Sequence, residues 1–139
     1  DAGTPGISDP GNRLIQSLVQ SMEDIEVVPI PGASAVIAAL SISGLPADKF
    51  LFLGFPPHKK GRKKYFEIIK DIKYTVAFYE SCHRINKTIL ELSEVLDAER
   101  QICICSELTK KFETIYRCSV GGIGDMPVKD KGEFVVIVN

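Results

Sequence analysis

Short apolar runs alternate with amphipathic helical segments along most of this 139-residue chain, and that alternation restricts it to the α/β class. Asp9-Pro10 opens a helix over 10–22. Asp9 offers a capping carboxylate, Pro10 suits the first helical position, and Leu14, Ile15, Leu18, Val19 and Met22 recur at helical spacing. Residues 25–30 read as a short strand that Pro31-Gly32 breaks. Ser34 then caps a second helix that runs to Ser43; it is apolar nearly all round, the mark of a buried helix, and Gly44 and Pro46 stop it. Further on, strands are predicted at 50–55, 74–79, 101–105, 112–117 and 133–138. Helices are predicted from the basic segment 58–64 to residue 72 and over 81–96, the second with the stripe Ile85, Ile89, Leu92, Leu96. The last strands have little helix between them, which predicts a mixed sheet. Residues 119–131, with three glycines and a proline, take no assigned element.

Leu45-Pro46-Ala47-Asp48 is the best boundary, giving modules 1–47 and 48–139. Charge divides near the same point. Residues 1–48 carry one basic side chain (Arg13) and six acidic ones, net −5; residues 49–139 carry sixteen and twelve, net +4. The net charge of −1 hides this asymmetry, and the second module is the one suited to a polyanion. A chain that is 45% hydrophobic and 25% charged is core-forming, not disordered. No apolar run reaches the roughly 18 residues of a membrane span, so no membrane partner is expected. Cys82, Cys103, Cys105 and Cys118 form no CxxC pair and predict free thiols in a reducing cytoplasm. His58 and His83 are far apart and share no carboxylate at ligand spacing, so no metal is expected.

Five loops have the composition for chemistry. Residues 1–11 hold three glycines and two prolines, and residues 29–35 use small residues where a neighbour would need room. Each serves as a tight structural turn or brings main-chain N–H groups to a ligand at the sheet edge where ligands sit in open α/β folds. Neither has GxGxxG spacing or a Walker lysine. Phe78-Tyr79-Glu80-Ser81-Cys82-His83-Arg84 places polar groups at the carboxyl end of a strand, with Ser81 as a helix cap; the alternative is capping and a surface pair. His58-Lys59-Lys60-Gly61-Arg62-Lys63-Lys64 has five Lys/Arg residues in seven, at a helix start where the dipole disfavours cations. It reads as a solvated face or as a grip on phosphate. Ser106–Glu113 supplies Glu107, Lys110 and Glu113, as a charged rim or a plain turn.

Taken together, Asp-Ala-Gly-Thr-Pro-Gly-Ile-Ser-Asp-Pro-Gly (1–11), Pro-Ile-Pro-Gly-Ala-Ser-Ala (29–35), Ala-Leu-Ser-Ile-Ser-Gly-Leu-Pro (39–46), Phe-Tyr-Glu-Ser-Cys-His-Arg (78–84), Glu-Leu-Thr-Lys (107–110) and Lys-Gly-Glu-Phe-Val (131–135) resemble a known family. That family is the bacterial small-subunit (16S) ribosomal RNA 2′-O-ribose cytidine methyltransferases, within the tetrapyrrole methylase superfamily. The stretches occur in the family's order and span essentially the whole chain. The chain departs from the pattern at Ala33, Pro56, Cys82 and Ser106, where the family usually has Pro, Leu, Pro and Arg.

The resemblance implies a two-domain, tetrapyrrole-methylase-like α/β fold. Residues 1–47 would be the end of an N-terminal cofactor-binding domain and 48–139 a complete C-terminal α/β domain with a mixed sheet. Roughly the first third of a typical member would precede Asp1, making this an N-terminally truncated fragment. S-adenosylmethionine is the implied cofactor, held in the cleft between domains by Asp1, Gly3, Thr4, Gly6, Ser34 and Ala35 on one side and by Phe78, Tyr79 and Glu133 on the other. The implied substrate is a cytidine ribose in small-subunit ribosomal RNA, gripped by Lys59, Lys60, Arg62, Lys63, Lys64 and Arg84. A cytoplasmic homodimer is implied as well. Methyl transfer from a sulfonium needs alignment more than functional groups, but a ribose hydroxyl is a poor nucleophile that a base or polarising cation would help; Glu80, His83 and Lys110 are the candidates. Two other readings remain: a superfamily methyltransferase acting on a small tetrapyrrole, or, for this fragment, a dimerisation or binding module without catalysis.

Overall fold

The computed structural model describes residues 3–139, which fall into two compact units that divide between Ala35 and Val36.

The first unit contains helix α1 (Gly11–Ser21). Its start differs from expectation. Pro10 itself takes the cap position, one residue before the helix, while Asp9 bridges the preceding loop and the helix start, its Oδ2 accepting from Gly6 N at 3.1 Å and its Oδ1 from Gly11 N, the first N–H of α1, at 3.4 Å. No residue of α1 is buried, and Leu14, Ile15, Val19 and Met22 stand exposed along one stripe. Residues 25–30 form no strand among the described residues. The apolar run is present, but a strand is defined by its ladder, and the sheet is built entirely from later segments.

The second unit is a five-stranded sheet with helices on both faces. Its elements after α2 (Ala35–Ser43) are β1 (Phe50–Phe52), α3 (Arg62–Asp71), β2 (Thr75–Ser81), α4 (Ile85–Val95), β3 (Gln101–Ser106), β4 (Thr114–Ser119) and β5 (Glu133–Val138). The strand order is β1-β2-β5-β3-β4. β1 and β2 pair in parallel and all other neighbours are antiparallel, so the sheet is mixed as the sequence predicts. The unassigned stretch contains a 3-10 turn over Val120–Asp125.

Period-2 alternation along the buried strands sends side chains to two cores. Val76, Phe78, Ile102, Ile104, Phe134, Val136 and Val138 pack against Phe66 and Ile69 of α3 and Ile85, Ile89 and Leu92 of α4. Ala77, Cys103, Cys105, Val135 and Ile137 point the other way, onto Val36, Ala39 and Leu40 of α2. The alanines let α2 lie close to the sheet, which places this helix in the second unit. Arg117 of β4 anchors its C-terminus, donating from Nε to Ser43 O at 3.2 Å and from its guanidinium to Ile42 O, where a cation also suits the helix dipole. β4 begins two residues later than predicted, because Lys110–Glu113 closes a turn through Glu113 N to Lys110 O at 3.1 Å.

Candidate functional site

In the first unit, the two glycine-rich loops lie against each other. Thr4 N donates to Ala33 O at 2.8 Å, and Thr4 Oγ1 donates to Gly32 O at 2.9 Å. The glycines permit this. A Cβ on Gly32 would stand 3.1 Å from Thr4 Cα, and Gly3 adopts φ +103°, a region only glycine enters freely. Gly3 and Thr4 are thereby brought beside Gly32 and Ala33, while Gly6 is tied to Asp9; Thr4, Gly6 and Ser34 are half-buried and Gly3 and Ala35 exposed. Asp1 lies outside the described residues.

In the second unit, the end of β2 carries Phe78, Tyr79 and Glu80 on alternating faces. Phe78 is fully buried against Tyr65 and Phe66. Tyr79 is half-buried on the α2 face, its ring edge-on to Phe52 with centroids 4.9 Å apart and tilted on Phe55 at 5.4 Å. Burial pushes its phenol pKa up, and the Val36 backbone opposes this through a hydrogen bond. Of the two aromatics, Tyr79 alone offers side-chain surface to a ligand.

Glu80 shares the inner face with Phe78 and is 2% exposed. Its carboxylate is saturated. Oε1 accepts from Ser81 N at 2.7 Å and Arg84 Nε at 2.9 Å; Oε2 accepts from Thr88 Oγ1 at 2.7 Å and Arg62 Nη2 at 3.3 Å. Arg62 also donates from Nε to Glu91 Oε2 at 2.8 Å, from Nη2 to Thr88 Oγ1 at 2.6 Å and from Nη1 to Pro57 O at 3.2 Å. This is a buried ion network tying α3 and α4 to β2.

The network and the strand pairing correct the expectations for four residues. Glu80 does not present a free carboxylate to a reacting hydroxyl. Arg62, 4% exposed, points inward rather than toward a polyanion, and Arg84, its side chain 16% exposed, is held by Glu80. Ser81 is the last residue of β2, opposite Glu133, and not a helix cap; the cap position of α4 is Arg84. Lys59, Lys60, Lys63 and Lys64 remain exposed around the start of α3, and His83 is exposed.

Lys110 lies beside the start of β5. Its Nζ donates to Glu107 Oε1 at 2.9 Å and Glu133 Oε2 at 2.7 Å. Glu107 Oε1 also accepts from Glu133 N at 2.9 Å. The two carboxylates raise the Lys110 pKa, and Lys110 together with the Glu133 amide lowers that of Glu107. Lys110 is therefore a fixed cation, unsuited to accept a proton and suited to polarise one. Glu107 was visible in the sequence only as part of a charged turn. Its left-handed backbone (φ +52°) and its contact with Gly132 have no local signal, because the partner is 25 residues away. Thr88 and Glu91 were missed for the same reason; they read as ordinary helix positions. Among the described residues no group of His, Cys, Asp and Glu is arranged to hold a metal ion, and no helix is long and apolar enough to cross a membrane.

Comparison with known proteins adds the context. The family described as Tetrapyrrole (Corrin/Porphyrin) Methylases matches residues 1–124. Proteins named ribosomal RNA small subunit methyltransferase I are similar along the whole chain. The Vibrio cholerae protein is 46% identical over 145 residues, covering 100% of this chain and 49% of its own length. The Pasteurella multocida protein is 43% identical over 143 residues, covering 99% and 50%. The chain thus spans about half the length of the curated relatives it matches. Among solved structures, the methyltransferase CobJ superposes with a TM-score of 0.69 at 20% identity, covering 100% of this chain and 62% of that one. Uroporphyrin-III C-methyl transferase from Thermus thermophilus, complexed with S-adenyl homocysteine, gives a TM-score of 0.62 at 15% identity, covering 99% and 62%. At these identities the structural likeness is one of fold.

Proposed function

Because this chain belongs to the tetrapyrrole (corrin/porphyrin) methylase family, we propose that its protein transfers a methyl group from S-adenosylmethionine to the ribose 2′-hydroxyl of a cytidine in small-subunit ribosomal RNA. The observation that carries this reading is the identity of 41–46% along the whole chain to proteins named for ribosomal RNA methylation, against 12–20% to the tetrapyrrole-branch folds and other structural neighbours.

The residues present fit the cofactor. An adenosine with a zwitterionic tail is held by backbone amides, hydroxyls and flat apolar surface. Gly3, Thr4, Gly6, Ser34 and Ala35 supply loops of small residues locked by Thr4. Tyr79 supplies a half-buried aromatic face. Asp1, Phe78 and Glu133 are retained as cofactor assignments from the family resemblance, Phe78 through its backbone alone, since its side chain is enclosed. The C-terminal part of a cofactor-binding domain would be residues 1–47, and the second domain residues 48–139.

When bound, S-adenosylmethionine supplies an electrophilic methyl on a sulfonium, so that the oxygen–carbon bond forms as the carbon–sulfur bond breaks and the hydroxyl proton leaves. The protein's part is alignment, which accounts for much of the barrier reduction in such displacements. Lys110, held protonated by Glu107 and Glu133, would orient or polarise an oxygen. His83, exposed near the end of β2, is the remaining proton acceptor of the three candidates, and Glu80 acts by holding that strand end in place. Lys59, Lys60, Lys63 and Lys64 would meet RNA phosphates. Ribosomal RNA as the acceptor argues for a cytoplasmic protein, and the family resemblance for a homodimer.

The test is tritiated methyl transfer from S-adenosylmethionine by the intact protein. Isolated small ribosomal subunits should be labelled, with the label recovered as 2′-O-methylcytidine, and a tetrapyrrole precursor should not. Labelling of the tetrapyrrole alone would overturn the reading.

A further inference from the structure

β1 and β2 run in parallel, so their carboxyl ends share one edge of the sheet, the edge where ligands sit in open α/β folds. The pairing continues past Phe52. Leu53 N donates to Ala77 O at 2.9 Å and Tyr79 N to Gly54 O at 2.8 Å, which ties the loop after β1 to the end of β2. Gly54 then takes φ +65° and turns the chain. Phe55 follows, its ring tilted on Tyr79 with centroids 5.4 Å apart, while Phe52 holds Tyr79 edge-on at 4.9 Å.

Phe55 belongs to neither core and is 56% exposed. It is nevertheless fixed. Two prolines come next, and they restrict both their own backbone and that of Phe55. Pro56 is buried, and Pro57 O accepts from Arg62 Nη1 at 3.2 Å. A phenyl face held in water on a stiff loop costs hydrophobic free energy that a flat ligand would recover.

The charge around this loop has one sign. From Lys49 to Phe66 the chain contains no Asp or Glu. Lys59, Lys60 and Lys64 make no ion pair among the described residues, and Lys63 makes only an exposed one with Glu67 at 3.9 Å, which contributes little. Glu80 and Glu133, the carboxylates at this end of β2 and of its neighbour β5, are each bonded to a cation. Phe55 stands four residues before Lys59, at most about 14 Å along the chain. A ligand that meets both is flat at one point and anionic beside it. S-adenosylmethionine has the flat base, but its sulfonium is a cation and it carries no phosphate. An RNA strand has a base and phosphates in succession.

We propose that Phe55 stacks on the base of the methyl-accepting nucleotide and holds it beside Tyr79, while the adjoining phosphates meet Lys59, Lys60, Lys63 and Lys64. Single-stranded RNA is recognised through bases splayed out onto aromatic side chains, and the stacking tolerates any base because each has a π-face. The inference rests on the RNA-acceptor reading and names the residue that holds the acceptor base.

The test uses the intact protein and isolated small ribosomal subunits, with kcat and KM for subunits measured across a salt series. Phe55→Ala should lower kcat/KM about 5- to 150-fold, the range that loss of one stacked base corresponds to. Phe55→Leu keeps an apolar contact with Tyr79 but no flat face, and should lose activity in the same direction. Phe55→Trp should retain it. All three should keep the wild-type salt dependence, the wild-type affinity for S-adenosyl homocysteine by calorimetry and the wild-type melting temperature. If Phe55→Ala or Phe55→Leu methylates subunits with wild-type kcat/KM, the proposal is overturned and the RNA reading stands. If S-adenosyl homocysteine affinity falls by the same factor as kcat/KM, the ring serves the cofactor and the proposal also fails. If the wild type labels a tetrapyrrole precursor and no ribosomal subunits, the underlying reading has failed and the proposal falls with it.

Discussion

The Glu107 side chain fills the place where a side chain at position 132 would begin: a Cβ on Gly132 would collide with its carboxylate. Gly132 also sits at φ +87°. Gly132→Ala should therefore cost about 1–3 kcal/mol in urea denaturation, from backbone strain and the displaced carboxylate together. It should also loosen the staple between the 106–113 turn and β5. An unchanged denaturation midpoint would mean that the segment shifts freely.

Glu80 gives the sharpest separation of chemistry from folding. Its side chain is enclosed and its four partners include two guanidinium groups. Glu80→Gln should destabilise the protein by about 3–5 kcal/mol, because Arg84 is left without a countercharge and Arg62 keeps only Glu91. Thermal melts and single-turnover methylation should be run on the same preparation. A variant that melts like wild type yet has lost turnover would restore Glu80 as a catalytic group.

The Lys110 clamp has a defined pH window. Glu107 has a folded pKa below its ordinary 4.5, so its contribution to stability is complete above that value and is lost as pH falls through the folded pKa. Lys110 has a folded pKa above its ordinary 10.5, so its contribution is complete below that value and is lost as pH rises through the folded pKa. The stability difference between wild type and Lys110→Met should be flat across neutral pH and shrink at both extremes. A difference that changed between pH 6 and 9 would point to another titrating partner.

Tyr79 tests the cofactor assignment. Tyr79→Ala should weaken binding of S-adenosyl homocysteine up to about tenfold by calorimetry, while Tyr79→Phe keeps the aromatic face and most of the affinity. Equal affinity in all three proteins would remove Tyr79 from the site.

The exposed lysines around α3 should act through phosphate alone. Changing Lys59, Lys60, Lys63 and Lys64 to Gln should lower the salt dependence of RNA binding by about 0.7 for each phosphate no longer neutralised, without altering cofactor affinity. A salt slope equal to wild type would return these residues to a solvated helix start.

Most of the sheet was legible because its residues obey one rule. Glu133–Val138 and Gln101–Ser106 are apolar runs bounded by polar or glycine residues, and the structure gives strands there. The amphipathic stripe of Ile85, Ile89 and Leu92 was equally direct. What escaped depends on partners distant in sequence. Arg62 sits among lysines and looks solvated, yet it turns inward because Glu80, eighteen residues on, and Thr88 and Glu91 on α4 wait for it. Ser81 looks like a cap, but its pairing with Glu133 makes it the last residue of β2. Phe78 and Tyr79 are neighbours in a motif and yet belong to opposite faces, so a motif match carries both to the cofactor while the pleat lets only one side chain reach out.

β5 is the last of the five strands in the sequence and the middle one in the sheet, bonded to β2 on one edge and β3 on the other. During synthesis, β1 and β2 leave the ribosome as one pair and β3 and β4 as another, each with an open apolar edge. Neither can be closed until residues 133–138 emerge and join them. Completion of this sheet therefore waits for β5, and until then the newborn chain holds two half-sheets whose exposed edges invite pairing with other chains.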